Sequence, residues 1–149
     1  MDEIIIYADG GCRGNQNIEN IGGWGALITY KENKKELYGS ELNTTNNKME
    51  LMSAIQALKS LKKQNIPVKI YMDSAYVING MNEWIYSWIK KGWKTANKKS
   101  VENQELWKEL NNLRNTFDKI EFLKVKGHSD NYGNNIADML ANKGMDEIS

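Results

Sequence analysis

Four carboxylates occupy positions from which they could act together. Asp9 follows the apolar run Ile4–Ala8, and Asp73 follows Val68–Met72. Glu50 stands early in a segment whose Leu51, Ile55, Leu58 and Leu61 recur at i, i+4, i+7 and i+10, the stripe of one helix face. On a helical wheel Glu50 lies roughly 85° from the centre of that stripe, at the edge of the buried side. Asp138 sits among Ile136, Ala137, Met139, Leu140 and Ala141. An acid in apolar surroundings is costly unless it is paired or metal-bound. Each of the four also fits a plainer role taken singly, as a turn former after a strand or a helix N-terminal charge. Asn47 and Glu50 are even spaced as in a variant capping box. The chemistry therefore requires convergence. A set of oxygen ligands, in a chain with one cysteine (Cys12) and one histidine (His128), suits Mg²⁺ or Mn²⁺ in preference to zinc.

A second group of residues suggests a polyanion. From Trp84 to Val101 the chain carries Lys90, Lys91, Lys94, Lys98 and Lys99 and no acid, with Trp93 among them. Such a run can be an ordinary solvated face, but phosphate binding accounts better for lysines interleaved with an aromatic residue and free of counter-charges, and it predicts affinity that falls with salt. Trp84 and Trp88 are spaced i, i+4, which fits packing between helices as readily as a surface against a nucleic-acid backbone.

The elements that must position these residues are legible in outline. Ile4–Ala8, Trp24–Tyr30 and Leu37–Leu42 read as three strands in a hairpin or meander, with a turn at Lys31-Glu32-Asn33-Lys34. Thr44-Thr45-Asn46-Asn47 is a cluster of helix N-cap types, and the helix it opens is expected to end near Gln64, before Pro67. Val68–Met72 reads as a fourth strand. Ala75 to Lys91 reads as helical with an interruption near Gly80, and Gly92–Lys99 as a basic loop. Ser100 is expected to cap a helix carrying Leu106, Leu110, Leu113 and Phe117. Lys119–Lys126 reads as a fifth strand, Gly127–Asn134 as a polar loop, and Asn135–Lys143 as a short last helix closed by Gly144. Residues after Met145 are expected to be loose. Three strands and then strand–helix alternation predict an α/β fold, a mixed five-stranded sheet with helices on both faces. If the first and fourth strands are parallel neighbours, Asp9 and Asp73 share the end of the sheet where ligands gather.

The 149 residues carry 20 basic and 19 acidic side chains, for a net charge of +1. The length fits one domain over residues 1–149, since ~100–200 residues is the usual span of a single core. No apolar stretch approaches the ~18 residues of a membrane span, and the N-terminus lacks a signal peptide's basic start and apolar core. One cysteine excludes an internal disulfide. The composition points to a cytoplasmic globular protein, expected to be monomeric because no large apolar surface patch is legible.

Five motifs, in order, closely resemble the bacterial type 1 ribonuclease H family. They are Asp9-Gly10-Gly11-Cys12-Arg13-Gly14-Asn15, Thr44-Thr45-Asn46-Asn47-Lys48-Met49-Glu50-Leu51, Asp73-Ser74-x-Tyr76-Val77, Val125-Lys126-Gly127-His128 and Asn134-x-x-x-Asp138-x-Leu140-Ala141. The segment from Trp84 to Ala96 is similar to the family's basic protrusion, here at about 82–99. The resemblance implies an endonuclease that hydrolyses the RNA strand of an RNA/DNA hybrid with two Mg²⁺ ions, Mn²⁺ being a possible substitute, and leaves 5′-phosphate and 3′-hydroxyl ends. It implies Asp9, Glu50, Asp73 and Asp138 as metal ligands. His128, whose unperturbed pKa of ~6.5 suits the role, would assist proton transfer or product release. It further implies hybrid contacts from Gly10, Gly11, Asn15, Asn46 and Asn47 near the 2′-OH, the group that separates RNA from DNA. Thr45 with Asn15 would hold a DNA phosphate, Trp84 and Trp88 would face DNA sugars, and Lys90, Lys91, Trp93 and Lys94 would meet the backbone.

The chain departs from the family pattern at Asn43 (commonly Arg), Ala75 (commonly an amide), Asn135 (often an acid) and Asn15-Gln16-Asn17 (usually continuing Pro-Gly). None of these is an implied metal ligand, so they bear on affinity and rate. The alternative from another class is a non-catalytic hybrid-binding module using the lysine-rich segment. Four massed acids argue against it, because a pure binder gains nothing from negative charge beside phosphates. A Mg²⁺-dependent phosphotransfer domain would require a stable phosphoprotein.

Overall fold

The first three strands pair consecutively into a meander, the first two largely buried and the third at the sheet edge. The computed structural model describes residues 2–14, 19–125 and 131–149. The strands are β1 (Ile4–Arg13), β2 (Ile21–Tyr30), β3 (Asn33–Leu42), β4 (Val68–Met72) and β5 (Ile120–Lys124). They form one sheet in the order β3-β2-β1-β4-β5. The β1–β2 and β2–β3 pairs are antiparallel, whereas β1–β4 and β4–β5 are parallel. The helices are α1 (Asn46–Lys59), α2 (Ala75–Asn79), α3 (Ile85–Lys90), α4 (Gln104–Arg114) and α5 (Tyr132–Ile148), with a π-helical turn at Gly80–Trp84 between α2 and α3.

The two faces of the sheet are covered by different helices. Met49 of α1 packs over Gly22, and Ala141 of α5 packs over Gly23. Successive strand residues point to opposite faces, so α1 and α5 sandwich the sheet. The core between α1 and the sheet contains Ile6, Ala8, Leu51, Ile55, Ile70 and Met72, with Trp107 and Leu110 of α4 closing it from outside α1. The expected mixed five-stranded α/β sheet is the one found.

Several boundaries differ from the sequence reading. β1 runs five residues past Ala8, because Asp9 to Arg13 continue to pair with β2, from Asp9 opposite Gly25 to Arg13 opposite Ile21. Asp9 is thus inside a strand and not in the turn after one. The β2–β3 turn is shorter than four residues. Tyr30 pairs with Asn33, and Lys31 takes a left-handed conformation at φ 56°. α1 ends at Lys59, capped by Ser60, and Leu61 packs against the core from outside the helix.

The helix expected to be capped by Ser100 begins at Gln104, after a left-handed Asn103 that gives no side-chain cap. Ser100 is held extended by a bridge to Lys94, and the Val101 amide donates to the Trp93 carbonyl at 3.1 Å. Those contacts delay the helix. Phe117 lies beyond its end yet is buried in the core. At the C-terminus, α5 passes through Gly144 and continues to Ile148, so the expected stop and loose tail are both corrected. Gly144 is a site of close approach within the helix: a Cβ there would stand 2.3 Å from the carbonyl oxygen of Gly39 on β3.

Candidate active site

The acids reach one end of the sheet by separate routes. β1 and β4 run parallel with Tyr7 opposite Tyr71, and Asp9 and Asp73 each lie two residues beyond that pair. Asp73 is set between the end of β4 and α2, whose start is fixed by Ser74, its hydroxyl accepting from the Val77 amide at 3.2 Å. Glu50 comes from the second turn of α1, a helix whose start is fixed by the Thr45 hydroxyl, which accepts from the Lys48 amide at 3.1 Å. Upstream, Asn20 clamps Thr44: its side chain accepts from the Thr44 amide and donates to the Thr44 carbonyl, both at 2.8 Å.

Gly10 makes the meeting of β1 and α1 possible. A Cβ there would fall 2.4 Å from the Met49 carbonyl carbon and 2.6 Å from the Glu50 nitrogen. Only a residue without a side chain lets α1 settle low enough to set Glu50 beside Asp9. The result is that Asp9, Glu50 and Asp73 each present a carboxylate oxygen within 4.8 Å of the other two. Asp138, exposed on α5, lies outside that set, but near enough to Asp9 for its carboxyl to raise the proton affinity of Asp9.

Burial and like charge raise the proton affinity of this group. Asp9 is pushed up to about 7, first by desolvation and then by the Asp73 charge and the Asp138 carboxyl, against a hydrogen bond from the Gly10 amide. Glu50 is pushed up to about 9 by desolvation and by the charges of Asp9 and Asp73. One oxygen of Glu50, Oε1, is buried and meets no hydrogen-bond donor. A buried acceptor without a partner costs free energy, and here it lies within a cluster of acids. A hard divalent cation fits this donor set, because it supplies the missing partner and offsets the repulsion.

The other sequence-predicted residues are placed less uniformly. Gly10 and Gly11 are in β1, and Asn46 lies beside Gly11, its Oδ1 within 3.9 Å of where a Cβ would be. Thr45, Asn46 and Asn47 are exposed around the start of α1. Asn15 and His128 lie outside the described residues. Lys90, Lys91 and Lys94 are exposed. Trp84 leaves 39% of its surface open, whereas Trp88 and Trp93 are half-buried. Trp88 packs among Trp84, Trp93 and the buried Trp107 in tilted and edge-on contacts, at centroid distances of 6.1, 6.2 and 5.2 Å. The tryptophans therefore anchor the lysine-bearing segment to the core, with Trp84 the most open of the cluster.

Sequence reasoning missed Asn20, Arg13 and Asn142, which organise the surroundings of the acids. Asn20 lies in a polar stretch without periodicity and gave no signal. Asn142 could have been found from its spacing, four residues after Asp138 on one helix.

The family model for RNase H matches residues 1–146. The chain is 50% identical over 149 residues to a ribonuclease H of Ruthia magnifica subsp. Calyptogena magnifica, covering 100% of this chain and 99% of that relative. It is also 50% identical over 147 residues to a ribonuclease H of Francisella tularensis subsp. novicida, covering 99% of this chain and 93% of that relative. Among solved structures it resembles LC9-RNase H1, described as a type 1 RNase H with the type 2 active-site motif, at a TM-score of 0.87 and 32% identity over 99% of this chain and 74% of that one. It also resembles LC11-RNase H1 in complex with RNA/DNA hybrid, at a TM-score of 0.70 and 25% identity over 98% of this chain and 99% of that one.

Proposed function

The chain belongs to the ribonuclease H family, and from that membership we propose that it cuts the RNA strand of RNA/DNA hybrids by two-metal catalysis at Asp9, Glu50, Asp73 and Asp138. The ion is Mg²⁺, with Mn²⁺ as a substitute, and the products carry 5′-phosphate and 3′-hydroxyl ends. The observation that carries this reading is the buried, unpartnered Glu50 Oε1 beside two further carboxylates. A pair of such ions held by these acids would supply an activated water and stabilise the leaving oxygen. The protein's own part is positional. Asp9, Glu50 and Asp73, the last from just beyond β4, would hold the ions together with Asp138 of α5, and Asp9 and Glu50 would have to be ionised to do so.

Gly10, Gly11, Asn15, Asn46 and Asn47 contact the hybrid near the 2′-OH. Thr45 with Asn15 meets a DNA phosphate. Lys90, Lys91, Trp93 and Lys94, carried on the protrusion at about 82–99, meet the nucleic-acid backbone, and Trp84 and Trp88 face the DNA sugars. His128 assists proton transfer or product release. The protein acts as a single-domain monomer in the cytoplasm. In support, no helix among the described residues is long and apolar enough to cross a membrane.

The test is a strand-labelled assay on hybrid, duplex RNA and duplex DNA with Mg²⁺. Cleavage confined to the RNA of the hybrid, and lost in Asp73→Asn, is the expected result. Binding without cleavage would assign the protein to the non-catalytic alternative.

A further inference from the structure

Arg13, the last residue of β1, reaches across to α5. Its guanidinium donates to Asp146 Oδ1 at 2.6 Å, to Asn142 Oδ1 at 2.8 Å and to the Asn142 carbonyl at 3.3 Å. Asp138, Asn142 and Asp146 follow one another at intervals of four and share a face of α5. With Oδ1 held by Arg13, the Asn142 amide turns its Nδ2 toward Asp138, donating to the Asp138 carbonyl at 3.0 Å and to Oδ2 at 3.5 Å. The reversed amide would set donor against guanidinium and acceptor against carboxylate. Arg13, together with the Asp138 carbonyl, therefore decides which end of the amide faces the acid.

We propose that Arg13 and Asn142 are positioning residues that orient the Asp138 carboxylate toward the metal centre. The proposal rests on the reading of Asp138 as a ligand. Ligating carboxylates are commonly held by hydrogen bonds of this kind, which fix the direction of the oxygen that binds. The Arg13–Asp146 pair is open to solvent at both ends, with side chains 39% and 67% exposed, so by itself it does little for the fold. Its role is to steady the guanidinium over Asn142. A simple charge effect has the opposite sign: a guanidinium near the centre repels cations, so its loss would tighten their binding.

The experiment is a Mn²⁺ titration of the full chain without substrate, read by electron paramagnetic resonance, with metal-free melting temperatures measured alongside. Asn142→Ala and Arg13→Ala are each expected to weaken Mn²⁺ binding about tenfold. Arg13→Lys should keep part of the affinity, and the double variant should bind no more weakly than Asn142→Ala. Metal-free melting temperatures should stay within about 2 °C of the parent. Asp138→Asn serves as the reference. If it weakens binding while Asn142→Ala does not, the positioning role is overturned and the ligand reading stands. If Asp138→Asn leaves binding unchanged, the ligand reading fails and the proposal with it. Tighter binding in Arg13→Ala, or additive losses in the double variant, would equally overturn the route through Asn142.

Discussion

Glu50 brings to the cluster a carboxylate oxygen that no donor meets, and Asp9 beside it holds its proton up to about pH 7. Both facts describe a centre that is unfavourable without cations. Replacing Asp9 by Asn removes one of the crowded charges. In metal-free buffer near pH 8, Asp9→Asn is therefore expected to melt about 4–8 °C above the parent, while hybrid cleavage is abolished. Calorimetry in EDTA beside a cleavage assay measures both. A lower melting temperature with activity retained would contradict both halves. His128 belongs to the same scale but to a different kind of effect. Loss of its side chain should slow cleavage by about 10²-fold without ending it, because the acids and their cations still supply the nucleophile. Single-turnover rates on a defined hybrid decide it.

At the scale of elements, the close contacts matter more than propensity. α5 lies on β3 so tightly that Gly144 touches Gly39. Gly144→Ala should cost about 2 kcal/mol, although alanine is the better helix former. A denaturation midpoint that rises in the alanine variant would show that α5 can slide. The lysine-bearing segment is tested separately. Its loop is a small closed turn, with the Thr95 amide donating to the Lys99 carbonyl at 2.8 Å and Lys94 bridged to Ser100. Exposed lysines on that frame contribute through counterion release. Changing Lys90, Lys91 and Lys94 together to Ala should lower hybrid affinity and flatten the log–log salt dependence by about 2–3. An unchanged slope would remove these residues from the interface.

The whole molecule responds to pH through the two raised carboxyls. Their native proton affinities of about 7 and about 9 stand above the ordinary 3.8 and 4.5. Between these limits the native state binds more protons than the unfolded chain, so metal-free stability falls as pH rises from about 4 to about 9 and levels off above. Divalent cations compete with those protons and bind the folded state alone. Mg²⁺ should therefore raise the melting temperature, and raise it more at pH 9 than at pH 6. A Mg²⁺ shift that is equal at both values would mean that Asp9 and Glu50 do not take part in binding it.

Much of this molecule was determined by sequence alone. The apolar runs and stripes yielded every strand, the mixed sheet and the helix that carries Glu50, because periodicity records which face of an element is buried. The acids were visible as polar residues at the ends or edges of apolar elements, and their order along the chain carried the family resemblance. Tertiary structure decided the rest. β1 extends through Asp9 because β2 offers partners as far as Ile21, and α5 passes Gly144 because β3 lies against it. α4 starts at Gln104 because a bridge elsewhere holds Ser100. The empty valence of Glu50 and the orientation of the Asn142 amide depend on groups dozens of residues away. Local patterns encode period and capping. They cannot encode which distant backbone will supply, or withhold, the partner that a given atom requires.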